Sequence, residues 1–349
     1  MTALIATWLV FATMFTLITL YRLGRARPSV PASLEPRVLL LRPLDEPTAR
    51  EVKNLSAPLP AGVRQVVLAP FRPPSSVRGE WLPSDPPCAN RKAGHLTYAL
   101  ATLAYEGELV ICADADVQVT RELLDAVAGP VRAGAALCTA APVPEGALDL
   151  AGHAVRGLLS RTHHAFVALD AMSAGAPAVC GKVMALGPEA IAELPRLTHC
   201  IGEDLELSRR LHDRGHRVEL ARIHANTPAA PQSMRGAVQR ITRWMQVLRA
   251  HRPGLYPSVP LLFASTLPLL ALSGFSGQPV LLAGAAVMLL CRVALSVRLS
   301  GFSVAALWEW LAGEVLLLIS FASSLARRHV TWRGRRLRVH AGGFIKVVS

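Results

Sequence analysis

The sequence predicts a mixed α/β body attached to apolar helices, and three observations predict it. Short apolar runs alternate with segments of helical spacing from residue 37 onward, residues 2–21 form one uncharged apolar stretch, and apolar runs dominate again between 256 and 326. Hydrophobic residues make up 52% of the 349, more than a soluble domain carries, so a membrane portion is expected.

The first apolar stretch, "TALIATWLVFATMFTLITLY", has about the ~20 residues a spanning helix needs, and Arg22, Arg25 and Arg27 follow it. A cleaved secretory signal carries its positive charge ahead of the apolar run and a small-residue cleavage site after it. Here the polarity is reversed, so residues 1–22 read as an uncleaved anchor that leaves the main body on the cytoplasmic face of the cell (inner) membrane. Residues 23–36 are a Pro-bearing linker.

The body is expected over 37–254. "RVLLLRPL" (37–44) is a short buried strand ending in Pro43. "TAREVKNLSAPL" (48–59) has helical spacing and stops at Pro58, and "VRQVVLAP" (63–70) is a second strand. Residues 70–90 read as a Pro- and Ser-rich loop and "AGHLTYALATLAY" (93–105) as a helix. "ELVICADADV" (108–117) is a strand, and Thr120 caps a helix over "TRELLDAVAGPV" whose Glu122 and Asp125 suit a first turn. Strands alternating with helices of this length imply a mostly parallel sheet covered on both faces. Ligands of such sheets collect at the carboxyl ends of the strands, which is where Asp114 and Asp116 stand.

From 255 to 326 a membrane region of two or three helices is expected. "VPLLFASTLPLLALSGF" and "PVLLAGAAVMLLCRVALSV", separated by Ser276-Gly277-Gln278, read as a helical hairpin. The run 302–326 contains Glu309 and Glu314 and precedes a basic tail, 327–349. Three complete spans would put that tail outside, against the positive-inside tendency, so 302–326 is expected to lie in the interface or re-enter. The net charge of +13 gathers beside the apolar runs, where attraction to anionic lipid head groups is the simpler reading; no nucleic-acid partner is expected. The six cysteines show no metal or disulfide spacing and fit reduced thiols. Thr162-His163-His164 fits a polar loop or helix face better than a ligand pair.

Three motifs each admit two readings. Asp114 and Asp116 point the same way in an extended segment, so they either end a strand in a solvated turn or present hard oxygen ligands for Mg²⁺ or Mn²⁺. Gly202-Glu203-Asp204 opens an amphipathic helix, where acids either complement the helix dipole or provide a carboxylate that takes a proton from an acceptor hydroxyl. Arg240, Arg243 and Trp244 lie on a basic segment that is either an interfacial helix or a diphosphate fork with an aromatic acceptor wall.

Taken in order, strand–DxD, G-E-D at a helix start, R-x-x-R-W and membrane hairpin resemble the membrane-bound inverting glycosyltransferases with a GT-A (Rossmann-like) fold. More narrowly, the chain resembles the ceramide glucosyltransferase family, family 21, and its bacterial relatives, including hopanoid-linked transferases. "LLRPL" (40–44), "NRKAGHL" (90–96), "CGKVMAL" (180–186) and "VTWRGRRLRVHAGG" (330–343) are similar to further segments of that family. The resemblance implies transfer of a hexose, glucose first, from a UDP-sugar to a lipid hydroxyl such as that of ceramide, a step of sphingolipid metabolism. It implies Asp204 as general base, Asp114 and Asp116 as ligands of Mg²⁺ or Mn²⁺, and Lys92, Arg240, Arg243 and Trp244 as contacts for the nucleotide sugar and lipid acceptor. Other implied acceptors are a hopanoid, diacylglycerol or polyprenyl phosphate. Two positions depart from the pattern: the second strand ends in Ala69 and Pro70 where the family has a base-contacting Asp, and His95 replaces an Asn. A non-catalytic scaffold on a decayed transferase fold is the alternative that these departures suggest.

Overall fold

A computed structural model describes residues 1–24, 37–146, 149–172, 177–229, 231–326, 329–332 and 335–348. Residues 25–36 of the expected linker, with Arg25 and Arg27, lie outside the described residues, as do Arg327, Arg328, Arg333 and Gly334. The chain forms two compact units and passes repeatedly between them. One comprises 28–145, 175–228 and 337–349; the other comprises 1–27, 146–174 and 229–336.

In chain order, α1 (Thr2–Gly24) belongs to the helical unit. The α/β unit then begins with β1 (Val38–Pro43), α2 (Ala49–Leu55), β2 (Val63–Ala69), β3 (Glu80–Pro83), α3 (Arg91–Thr102), β4 (Leu109–Ala113), α4 (Arg121–Arg132), β5 (Leu137–Thr139) and β6 (Pro142–Glu145). The helical unit resumes with α5 (Leu150–Leu159) and α6 (Thr162–Met172). β7 (Val183–Leu186), α7 (Pro188–Glu193), α8 (Glu203–Asp213), β8 (Val218–Leu220) and β9 (Ala225–Pro228) return to the α/β unit. Next come α9 (Met234–His251), α10 (Thr266–Ser276), α11 (Pro279–Ser300) and α12 (Val304–Ala326), then β10 (His329–Trp332), β11 (Arg335–Val339) and β12 (Ile345–Val347).

The α/β unit is built on a seven-stranded sheet ordered β3-β2-β1-β4-β7-β5-β8. Strand alternation sends Leu39 and Leu41 to one face and Val38 and Leu40 to the other, and all four are fully buried. The first pair packs with Leu96 and Ala99 of α3 and Leu207 and Leu211 of α8, the second with Leu123, Leu124 and Val127 of α4. The parallel expectation holds for β1–β2, β1–β4 and β2–β3. β7, however, inserts antiparallel between β4 and β5. A further difference is β3, an edge strand within the expected loop 70–90. Only one of its four residues is even half-buried, and Pro83 ends it where no ladder donor is needed.

In the helical unit, α1, α11 and α12 are each long and apolar enough to cross a membrane. The run 302–326, expected to lie flat or re-enter, contains the single unbroken 23-residue helix α12. The shorter piece is instead α10, whose 11 residues span about 16 Å at 1.5 Å per residue, roughly half the hydrocarbon core. Residues 146–174 and 229–254, read from sequence as part of the body, group with these helices. Small residues allow the closest packing. A Cβ on Gly157 of α5 would stand 1.9 Å from the Glu309 carbonyl oxygen of α12, and one on Gly313 would stand 2.5 Å from the Leu158 amide. Arg156 and His153 bind the Glu309 carboxylate beside this crossing.

Candidate active site

The β4 strand ends at Ala113, and the antiparallel ladder continues one residue further, with the Asp114 amide donating to the Lys182 carbonyl at 2.9 Å. That pairing places the Lys182 side chain beside the two aspartates. Its ammonium lies 3.1 Å from Asp114 Oδ2 and 2.7 Å from Asp116 Oδ2. Lys92, in the first turn of α3, reaches Asp114 at 2.8 Å and Glu203 at 3.6 Å, and also donates to the Gly181 carbonyl. Burial opposes the charge on Lys92, yet Asp114 and Glu203 hold its pKa well above the ordinary lysine value. Burial likewise disfavours the charged form of Asp114, but Lys92 and Lys182 overcome it and bring its pKa to about 2.

Asp204 behaves in the opposite way. Burial, followed by the neighbouring Glu203 carboxylate, raises it to about 6, with Lys92 offsetting only part of the shift. Its position is set by local backbone. Gly202 caps α8 in the left-handed region, at φ 71° and ψ 49°, a conformation that costs other residues roughly 1–2 kcal/mol. Gly181 leaves room for the carboxylate, since a Cβ there would come within 3.1 Å of Asp204 Oδ2. The Asp204 carboxylate accepts from the Leu205 amide at 2.9 Å.

A second layer holds these groups. Fully buried Asn90 caps α3 through Ala93 and donates to Glu203 at 2.9 Å and to the Cys200 carbonyl at 2.7 Å. Across the loop before α8, the Ile201 amide donates to Gly343 and the Ile345 amide to His199. Arg42, only 1% exposed, donates to the carbonyls of Ala115 and Val117, which also accept from Asn54. Replacing Arg42 with Met removes one of the two donors that hold the Asp114–Asp116 turn. The expected result is a rise in the Michaelis constant for the sugar donor of roughly tenfold, read from steady-state kinetics, with the melting temperature measured alongside.

Among the described residues, Lys92, Lys182 and the nearby Arg42 guanidinium face four carboxylates here, which leaves one negative charge to favour a cation. Asp114 and Asp116 already share one cationic partner in Lys182, so their spacing fits a single ion. Mg²⁺ commonly takes one or two carboxylates and completes its shell with water and substrate phosphate. Among the described residues no group of three or more His, Cys, Asp and Glu side chains is placed to hold a metal, so substrate oxygens would have to supply the remaining ligands.

The model of glycosyl transferase family 21 matches residues 81–345, most of the chain. The chain belongs to glycosyl transferase family 21. It is therefore a glycosyltransferase, with a nucleotide-sugar donor and an acceptor. No curated protein matches the chain.

Of the residues expected at the transferase's site, the structure brings Lys92, Asp114, Asp116 and Asp204 into one cluster. Arg240, Arg243 and Trp244 lie half-buried on α9, in the helical unit. Lys182, Asn90 and Arg42 belong to quoted motifs but had no expected role. Lys182 directly follows the glycine of "CGKVMAL", and a lysine at the start of an otherwise apolar strand was the available signal. The base-contacting acid missing from β2 is not replaced by Asp45 at the end of β1. Its Oδ1 already meets His95 Nε2 at 3.0 Å and Arg91 Nε at 2.7 Å. Burial and the nearby Arg91 lower His95 to about 4, so it faces Asp45 as a neutral ring.

Proposed function

We propose that the transferase moves a hexose, glucose first, from a UDP-sugar to the primary hydroxyl of a membrane lipid, ceramide first, with inversion. The observation that carries this reading is the half-buried Asp204 carboxylate, raised to about 6 within the cluster that holds Asp114 and Lys92. A base of that pKa is mostly ionised at neutral pH and still accepts a proton readily. In this reading Asp204 takes the hydroxyl proton while the lipid oxygen attacks the anomeric carbon in line. Asp114 and Asp116 hold Mg²⁺ or Mn²⁺, which when bound neutralises charge on the leaving diphosphate. Lys182 releases the two aspartates and, with Lys92, meets phosphate oxygens.

Arg240, Arg243 and Trp244 are given phosphate and acceptor contacts by the sequence pattern alone. The apolar helices support a lipid acceptor, because its tails stay in the bilayer while its head group reacts. The arginines after the first apolar stretch support a cytoplasmic active site at the inner membrane. The altered end of β2 favours testing other nucleotide bases as well.

The test uses full-length protein in nanodiscs containing ceramide, offered a panel of nucleotide sugars with Mn²⁺ or Mg²⁺, with lipids read by mass spectrometry. A hexosylceramide formed with one donor and lost on chelation is the expected result. If donor is hydrolysed without a lipid product, ceramide is the wrong acceptor. Neither product nor hydrolysis with any donor would overturn the reading.

A further inference from the structure

Within the helical unit, a narrow open cleft lies among α1, the α5–α6 junction, the 259–263 turn and α11. Most of its wall is apolar, including Phe15, Leu158, Leu262, Phe263 and Leu295, yet Arg161 and Arg292 also line it. Arg292 stands on an apolar helix, eight residues before its end and thus about 12 Å along the axis. An ionisable side chain at such a depth marks a functional site by default.

The local charge does not balance. Arg292 is 2% exposed and Glu314 0%, and Arg161, with a side chain 12% exposed, shares that one carboxylate. The nearest other acid on α12, Glu309, is already bound by Arg156 and His153. Arg292 also donates to Thr266 and Ser265 hydroxyls and to the Leu262 carbonyl, while its Nε has no hydrogen-bond partner among the described residues. Among the described residues, two guanidinium groups share this one carboxylate, which leaves one positive charge in a mostly apolar setting, where an unbalanced charge is costly.

We propose that this cleft is a binding site for an anionic phospholipid. The phosphate completes the charge balance at Arg161 and Arg292, and one acyl chain lies along Phe15, Leu262, Phe263 and Leu295. Basic pockets between membrane helices recognise lipid phosphates by this chemistry. The proposal does not depend on which sugar or acceptor is used.

The test places the full chain in nanodiscs of a zwitterionic phospholipid containing a minor fraction of phosphatidylglycerol. The lipids that stay bound after release are counted by native mass spectrometry. Phosphatidylglycerol should be retained roughly fivefold or more above its share of the bilayer. Arg161→Gln should return retention to that share. Ala165→Leu, which narrows the cleft without changing a charge, should lower it as well. The proposal is overturned if the unmodified protein retains both lipids in proportion to the bilayer. It is equally overturned if Arg161→Gln, melting as the unmodified protein does, keeps the enrichment. Should Arg161→Gln not fold, undiminished enrichment in Ala165→Leu decides against the site.

Discussion

Asp204→Asn is expected to lower sugar transfer by roughly 10²–10⁴-fold, the usual contribution of a positioned general base, while leaving the dissociation constant for the nucleotide sugar nearly unchanged. The reason is that Asn keeps the size of the side chain and an oxygen able to accept from the Leu205 amide, but cannot accept the proton. The pH profile gives an independent readout. With the Asp204 carboxyl at about 6, the ionised base disappears as pH falls through that value, and kcat/KM should drop about tenfold per pH unit below it. Asp114, held near 2 by its two lysines, stays ionised throughout, so the limb near pH 6 cannot come from that acid. Measuring kcat/KM from pH 5 to 8 for both proteins decides the matter. A limb that persists unchanged in the Asn variant, with activity to match, would remove Asp204 from the role of base.

Gly157→Leu is expected to disrupt the helical unit more than any comparable change on an open helix face. Even a methyl group at 157 would collide with the Glu309 carbonyl at 1.9 Å, and main chain cannot rotate away as a side chain does. α5 and α12 would have to separate, opening the reciprocal contact at Gly313 and drawing Glu309 off Arg156 and His153. The expected cost is of order 3 kcal/mol, at the upper end for overpacking, seen as a lower melting temperature in detergent and poor recovery of folded protein. Gly129 of α4 is the control, because a Cβ there meets nothing within 4 Å. Gly129→Ala should be neutral or stabilising by about 0.5–1 kcal/mol. Equal melting temperatures for the two variants would contradict the close crossing.

Much of this was legible in the chain because the relevant signals are local. Thr120 stands just before a helical pattern, and its hydroxyl does accept from the Leu123 amide at 3.2 Å. Asp114 and Asp116 do share one ammonium, that of Lys182, although the chain turns after Asp114 instead of staying extended. Gly215, a glycine just past the end of α8, adopts φ 79°. What stayed hidden is non-local. Lys182 is 66 residues from Asp116, and only the antiparallel insertion of β7 brings them together; periodicity carries no information about which strand a strand will join. Likewise, β3 is short and exposed at the sheet edge, so it lacks the apolar run by which buried strands are recognised. α10 and α12 have similar apolar character, and their different lengths depend on where Ala264 and Ser265 interrupt the first of them.

The hydrogen bonds from Ile201 to Gly343 and from Ile345 to His199 also constrain how the protein is made. The brace on the loop before Asp204 is supplied by residues that leave the ribosome only after α9 to α12. During synthesis the strands around Asp114 can therefore assemble early, but the loop carrying Gly202 waits for its last support until the apolar helices have been translated. A nascent chain still lacking that support would have Asp114 and Asp116 in place while Asp204 was loosely held. On this view, full catalytic competence arrives together with membrane insertion, and a chain stalled before residue 343 would be a poor transferase even though the whole sheet had formed.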